Sequence, residues 1–333
     1  MRKTSMALLA FAVLLALAVL LGCRRDGTVG RPPVRVTFAC TTQPQSTLVH
    51  VARAKGYFSE EGLDVQIQMH TFGKAALQSL LEGKADFATV AETPVVFAVL
   101  RGERFFVIAN IESSNRNNAI VARRDAGIRG PRDLKGKRIG FTPGTTSDFF
   151  LDSALTAQGL LRKDIRPLPM KPEEMQAAIL GGAVDAVCTW NYPLAQIQQA
   201  LGANGFIHYD PEIYTETFNV AASAGIVDGR PEVAHSLLRA LIKAEAFVAA
   251  RPAEAQAIVA TASGTDPALV AAVWDAFNYR VRFDQTLLIT LEDETRWAMR
   301  NGLTDQKAMP DFRKHIHLDT LRAVKPEAVW MGK

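Results

Sequence analysis

The sequence predicts an α/β protein of two similar lobes, each a mostly parallel sheet flanked by helices, joined by two hinge crossings. Three observations carry this. Short apolar runs alternate with helical runs between residues 34 and 111. The same signals then return: Gly83, Asp86 and Pro94 are spaced like Gly182, Asp185 and Pro193, at a constant offset of 99. Two stretches, 110–124 and 218–227, stand between the halves as outward and return crossings.

Each element has a local cause. Residues 34–40 read as a strand, 46–55 as a helix that Gly56 closes, and 63–69 alternate again. Residues 75–82 are helical up to Gly83, 86–90 form a buried strand, 94–101 a short helix and 105–111 another strand. Strands joined by helices of this length imply right-handed βαβ units. In the second half the strand 138–142 is stopped by Pro143-Gly144, and Thr145-Thr146-Ser147 opens a helix that Gly159 closes. From Pro231 onward, helical spacing places helices at 232–250, 252–262, 267–278 and 287–301, assigned to covering the first lobe. The expected division is residues 34–115 with 220–333 for lobe one and 116–219 for lobe two.

Residues 1–22 read as a lipoprotein signal peptide: Arg2 and Lys3 precede an apolar run at 6–21, short for a membrane span. Leu20-Leu21-Gly22-Cys23 resembles a bacterial lipobox, so Cys23 is the expected lipidation site and 23–33 the tether. A plain secretory signal is the alternative, and both place the protein in the periplasm or at the cell surface. Without Arg2 and Lys3 the 38 basic residues become 36 against 34 acids, about +2. With no Lys/Arg-rich run interleaved with aromatics, nucleic acid is not an expected partner. Cys40 and Cys188 each close an apolar run and read as buried thiols, a disulfide being the alternative.

Ligands of open α/β sheets lie beyond the carboxyl ends of the strands. That rule selects Thr41, Thr42 and Gln43, then Gly73 and Lys74, then Ala91, Glu92 and Thr93 from the first half. From the second it selects Gly144, Thr145, Thr146 and Ser147, then Thr189, Trp190, Asn191 and Tyr192; Asn219 on the return crossing completes the candidates. Hydroxyls, amides, one acid and two aromatics suit a small polar solute trapped between halves. A helix N-terminus at Thr145 favours an anion. Thr145 and Asp148 also have capping-box spacing, and an acid there repels an anion unless it turns away. Glu92 either caps its helix or meets a cationic group, with Lys74 as a candidate partner, and Trp190 and Tyr192 either line the cleft or pack the lobes. His315-Ile316-His317 reads as surface, His50 as a satisfied core histidine, and no metal or cofactor is expected. Nucleotide-binding, hydrolase and zinc-protease motifs are missing from the sequence.

Four segments together resemble the nitrate/sulfonate/taurine-type substrate-binding proteins of ABC importers, a family that also includes alkanesulfonate-binding and thiamine-pyrimidine-precursor-binding members: VARAKGYFSEEGLDVQI, LLEGKADFATVAETP, DLKGKRIGFTPGTTSDFFL and ILGGAVDAVCTWNYP. The resemblance runs over residues 34–302. It implies a two-lobed, type II-like periplasmic-binding fold, no enzymatic activity, and a monomer that delivers a solute to an ABC permease served by a separate ATPase subunit. It also implies that the loop at 144–147 holds an anionic group while Thr42, Gly73, Thr93 and Trp190 line the pocket. Asn191 stands where many relatives carry an acid. The alternatives are an enzyme like the thiamine-pyrimidine synthases of the same fold, or a ligand-sensing partner of a membrane protein.

Overall fold

The computed structural model describes residues 32–330; Cys23 and the expected signal peptide lie outside them. Ten strands form two five-stranded sheets of matching topology. The first sheet has the order β2-β1-β3-β10-β4, from β1 (Val34–Thr41), β2 (Leu63–His70), β3 (Phe87–Ala91), β4 (Phe105–Ser114) and β10 (Glu216–Ser223). The second has the order β7-β6-β8-β5-β9, from β5 (Asn118–Arg123), β6 (Arg138–Phe141), β7 (Arg166–Pro169), β8 (Ala186–Trp190) and β9 (Gly205–His208). Each is a mixed sheet. β10 runs antiparallel to β3 and β4, and β5 antiparallel to β8 and β9, whereas the other ladders are parallel. Four strands of each sheet therefore point one way and a fifth opposes them.

The reversed strands are the crossings. β5 leaves the first sheet directly after β4, and β10 returns to it between β3 and β4. The return is shorter than its pattern suggested: β10 ends at Ser223, and Ala224–Gly229 turns helical. It also starts at Glu216, ahead of the lobe boundary expected at 220. All five residues of β3 and all five of β8 are buried, which is why these central strands read as continuous apolar runs.

The helices of the first half are α1 (Thr47–Ala54), α2 (Gly73–Leu81) and α3 (Glu92–Leu100); those of the second are α4 (Thr146–Ala157), α5 (Pro172–Leu180) and α6 (Pro193–Leu201). The C-terminal helices α7 (Pro231–Ala250), α8 (Pro252–Ser263), α9 (Pro267–Val273) and α10 (Gln285–Arg300) share one hydrophobic core with the first sheet. α9 stops well short of residue 278 because the chain leaves the helix to run along β4, where Asn278, Arg280 and Arg282 donate backbone N–H groups to Ser113, Ile111 and Asn110. The tail does the same, with His317 N–H on Val107 O at 2.9 Å. Two smaller cores flank the second sheet. Cys40 and Cys188 are buried free thiols. Among the described residues no helix is long and apolar enough to cross a membrane.

Candidate functional site

The same small device ends β1 and its counterpart β6. Thr41 N–H donates to Ser46 Oγ at 3.2 Å, and Thr142 N–H donates to Ser147 Oγ at 3.1 Å. In each case a hydroxyl five residues ahead folds the loop back on its strand. Asp86 and Asp185 are matched as well: their carboxylates accept the N–H of Thr37 at 2.9 Å and of Arg138 at 2.8 Å. These loops point toward one another across a small cavity.

The first-sheet side of its wall comes from Gln43 and Gln45 after β1, Phe72, Gly73 and Lys74 at the start of α2, and Ala91 and Pro94 around the start of α3. The opposite side comes from Thr145, Thr146 and Trp190, with Glu216 and Phe218 of β10. Gly73 is needed for close approach: a Cβ there would lie 3.1 Å from Val90 Cα and 3.3 Å from the Phe218 ring. Phe72 and Lys74 also border a wider groove with Gln78, Thr142 and Met170, which makes them the partition between the two spaces. Several contacts hold the halves together. Lys74 Nζ donates to Pro143 O at 2.9 Å, Trp297 Nε1 to Asp152 Oδ2 at 2.8 Å, and Phe72 lies 6.4 Å from Trp190 between ring centroids.

Of the residues selected from sequence, Gln43, Gly73, Lys74, Ala91, Thr145, Thr146 and Trp190 meet at this cavity. The others stand behind its wall. Thr41 is wholly buried with its hydroxyl 2.9 Å from Ser46 Oγ, and Thr42 donates its N–H to His70 O. Glu92 accepts from Tyr214 OH at 2.6 Å and from Thr217 N–H, so neither Lys74 nor solvent reaches it. Thr93 donates to Glu294 at 2.8 Å, and Asn219 pairs with Asn110 and Val90 O. Ser147 is spent on its loop, Gly144 (φ +64°) turns the chain ahead of α4, and Tyr192 packs into the first-sheet core. Gln45, Phe72, Pro94, Glu216 and Phe218 were not selected. An acid at the first position of a strand buried in all but its last residue, ETFNVAAS, was the available signal for Glu216.

Asp148 does turn away. Its Oδ2 accepts Gly144 N–H at 2.8 Å and its Oδ1 pairs with Arg162 at 2.7 Å. The hydroxyls of Thr145 and Thr146 are engaged with Thr142 O and Asn118 Oδ1, so what the N-terminus of α4 offers the cavity is first-turn backbone N–H. The electrostatics behind the wall are acidic. Burial, then the nearby Glu216, pushes Glu92 up to about 8. Burial also raises Glu112, Glu294 and Glu216, the last opposed by hydrogen bonds from Gln45, Asn118 and Asn117. His50 is buried on Thr41 O and lowered to about 4 by desolvation.

Residues 43–255 match the family described as NMT1/THI5 like. A Brucella abortus (strain 2308) protein named only as a binding protein is 27% identical over 232 residues, 68% of this chain and 70% of the relative. Among solved structures, the periplasmic aliphatic sulphonate binding protein of Escherichia coli aligns with a TM-score of 0.73 at 19% identity, covering 85% of this chain and 97% of that one. The periplasmic nitrate-binding protein of Synechocystis PCC 6803 aligns with a TM-score of 0.71 at 17% identity, covering 89% of each. At these identities the two structures show the shared fold.

Proposed function

The chain belongs to the NMT1/THI5-like family, and on that premise we propose that it is the extracytoplasmic solute-binding component of an ABC import system. It captures a small polar, anionic solute in the cavity between the two sheets and delivers it to a permease whose ATPase is a separate subunit. The observation that carries this reading is the cavity itself: loops from both halves line it, with Thr145 and Thr146 at the start of α4 and the paired rings of Phe72 and Trp190 in its wall. Residues 34–115 with 220–333, and 116–219, then act as lobes about the crossings at β4–β5 and β10. Gln43, Gly73, Thr145, Thr146 and Trp190 contact the solute, while Thr41, Thr42, Glu92, Thr93, Gly144, Ser147, Tyr192 and Asn219 shape the wall from behind. The sulphonate- and nitrate-binding proteins that share the fold support an anion of that kind. The protein acts as a monomer held at the membrane by a lipid on Cys23, and its role is to bind a solute and not to transform it.

Thermal unfolding against sulfonates, nitrate, bicarbonate, amino-sulfonates and pyrimidines tests this. A solute at 100 times its Kd is expected to stabilise the native state by about 2.7 kcal/mol. A panel in which no anion moves the midpoint, or a mass spectrum with a cofactor adduct on a lysine, would overturn it.

A further inference from the structure

Glu216 is 1% exposed, lines the cavity, and accepts from three side-chain amides. Its Oε1 accepts from Gln45 Nε2 at 3.0 Å and Asn117 Nδ2 at 2.9 Å; its Oε2 accepts from Asn118 Nδ2 at 2.6 Å and Asn117 Nδ2 at 3.0 Å. Among the described residues no lysine, arginine or histidine forms an ion pair with it. The buried groups that feel its charge, Glu92, Glu112 and Glu294, are also acids, and the one basic side chain among the described residues of the same wall, Lys74, donates to Pro143 O. A carboxylate so placed lacks a counter-charge, and burial in a medium of low dielectric makes that costly.

The same carboxylate orients the amides. Because an ionised carboxylate only accepts, Gln45, Asn117 and Asn118 each turn an NH2 group toward it and their carbonyl oxygens away. Two of those oxygens are used: Asn118 Oδ1 accepts from Thr146 Oγ1 at 2.9 Å, and Asn117 Oδ1 accepts from Asn191 N–H at 3.1 Å. The third, Gln45 Oε1, is buried with no partner, on a residue that lines the cavity. Across the cavity Trp190 Nε1 is a buried donor with no partner either. The space thus has an acceptor end backed by an uncompensated negative charge, and a donor end made of the indole N–H, the N-terminus of α4 and Lys74.

We infer that the solute is zwitterionic: a protonated amine docks on Gln45 Oε1 beside Glu216, and its anionic group lies toward Trp190, Lys74 and the first turn of α4. This rests on the proposed solute-binding role and narrows its solute class. A plain inorganic anion leaves both Gln45 Oε1 and the Glu216 charge unanswered, whereas an amino-acid-like or amino-sulfonate skeleton answers both ends.

Matched probes that differ only by ammonium against methyl test the inference by isothermal titration of the full chain. The pairs are taurine with propane-1-sulfonate, β-alanine with butyrate, and 2-aminoethylphosphonate with propylphosphonate, and nitrate is added as an amine-free anion. Within whichever pair binds, the amino member is expected to bind at least about tenfold more tightly, the value of one charge-assisted hydrogen bond. Gln45→Met and Glu216→Gln are each expected to shrink that ratio toward one, the amino member losing more affinity than the methyl member. A purely structural role for either residue would instead weaken both members of a pair equally, and that result overturns the inference. So does a wild-type protein that prefers the methyl member or binds nitrate alone, although a small-anion binder would then still stand. If no probe of any kind binds, the solute-binding role fails and the inference fails with it.

Discussion

Asp148 sits in the first turn of α4, where its charge would oppose an anion, yet its carboxylate is committed to Gly144 N–H and Arg162. Asp148→Asn leaves the guanidinium of Arg162 with Asp152 alone and is expected to cost about 1–3 kcal/mol. Solute affinity should change little, and a sharp gain in anion affinity would show the acid facing the cavity after all; urea unfolding and titration calorimetry on the variant read both. Glu92 carries a pH dependence. Its carboxyl ordinarily titrates at 4.5 but is held up to about 8 by burial first and then by Glu216. Between these values the folded chain keeps a proton that the unfolded chain has released, so stability is full below 4.5 and falls as the pH rises through about 8. The melting midpoint should therefore be lower at pH 8 than at pH 5, with a shallower slope for Glu92→Gln. A midpoint that rises over that interval would contradict the assignment.

At the level of elements, the approach of α2 to β3 and β10 sets one wall of the cavity. Gly73→Ala forces a methyl against the backbone of Val90 and the ring of Phe218, so the helix start has to shift. Solute affinity should fall about tenfold or more and stability by about 1–3 kcal/mol, as measured by calorimetry and chemical unfolding; a variant with unchanged affinity would mean that the solute sits elsewhere. The elements themselves were legible because their signals are local: Gly56 and Gly159 close helices with positive φ, Pro143-Gly144 stops β6, and the runs of β3 and β8 are apolar but for one threonine each. The antiparallel seat of β10 was less so. Its partners, β3 and β4, lie more than a hundred residues away, and nothing in ETFNVAAS records the direction of a neighbour. The C-terminal residues 277–283 escaped for the same reason, since their extended path is dictated by the free edge of β4.

For the whole molecule, the duplicated topology explains why loops of two sheets meet at one place, and the carboxyl-end rule located that place. It could not tell lining from support. Thr41, Glu92, Thr93 and Ser147 lie one layer behind the wall because each found a protein partner, whereas Glu216 and Phe218 reach it from a returning strand that a loop rule does not inspect, and Gln45 lies two residues past the stretch selected after β1. Hydrogen bonds across the halves, such as Trp297 to Asp152 and Lys74 to Pro143, close the space once the chain is folded.

The central claim is that a small polar solute occupies this cavity, and Trp190 in its wall offers the most direct reading. Tryptophan emission is titrated with the solute that raises the melting midpoint most, in the wild-type chain and in Trp190→Phe, with calorimetry alongside. A saturable change in wild-type emission that disappears in Trp190→Phe, while calorimetry still detects weakened binding, is the expected result. Binding by calorimetry with an emission change that persists undiminished in Trp190→Phe would place the solute outside the cavity and contradict the claim.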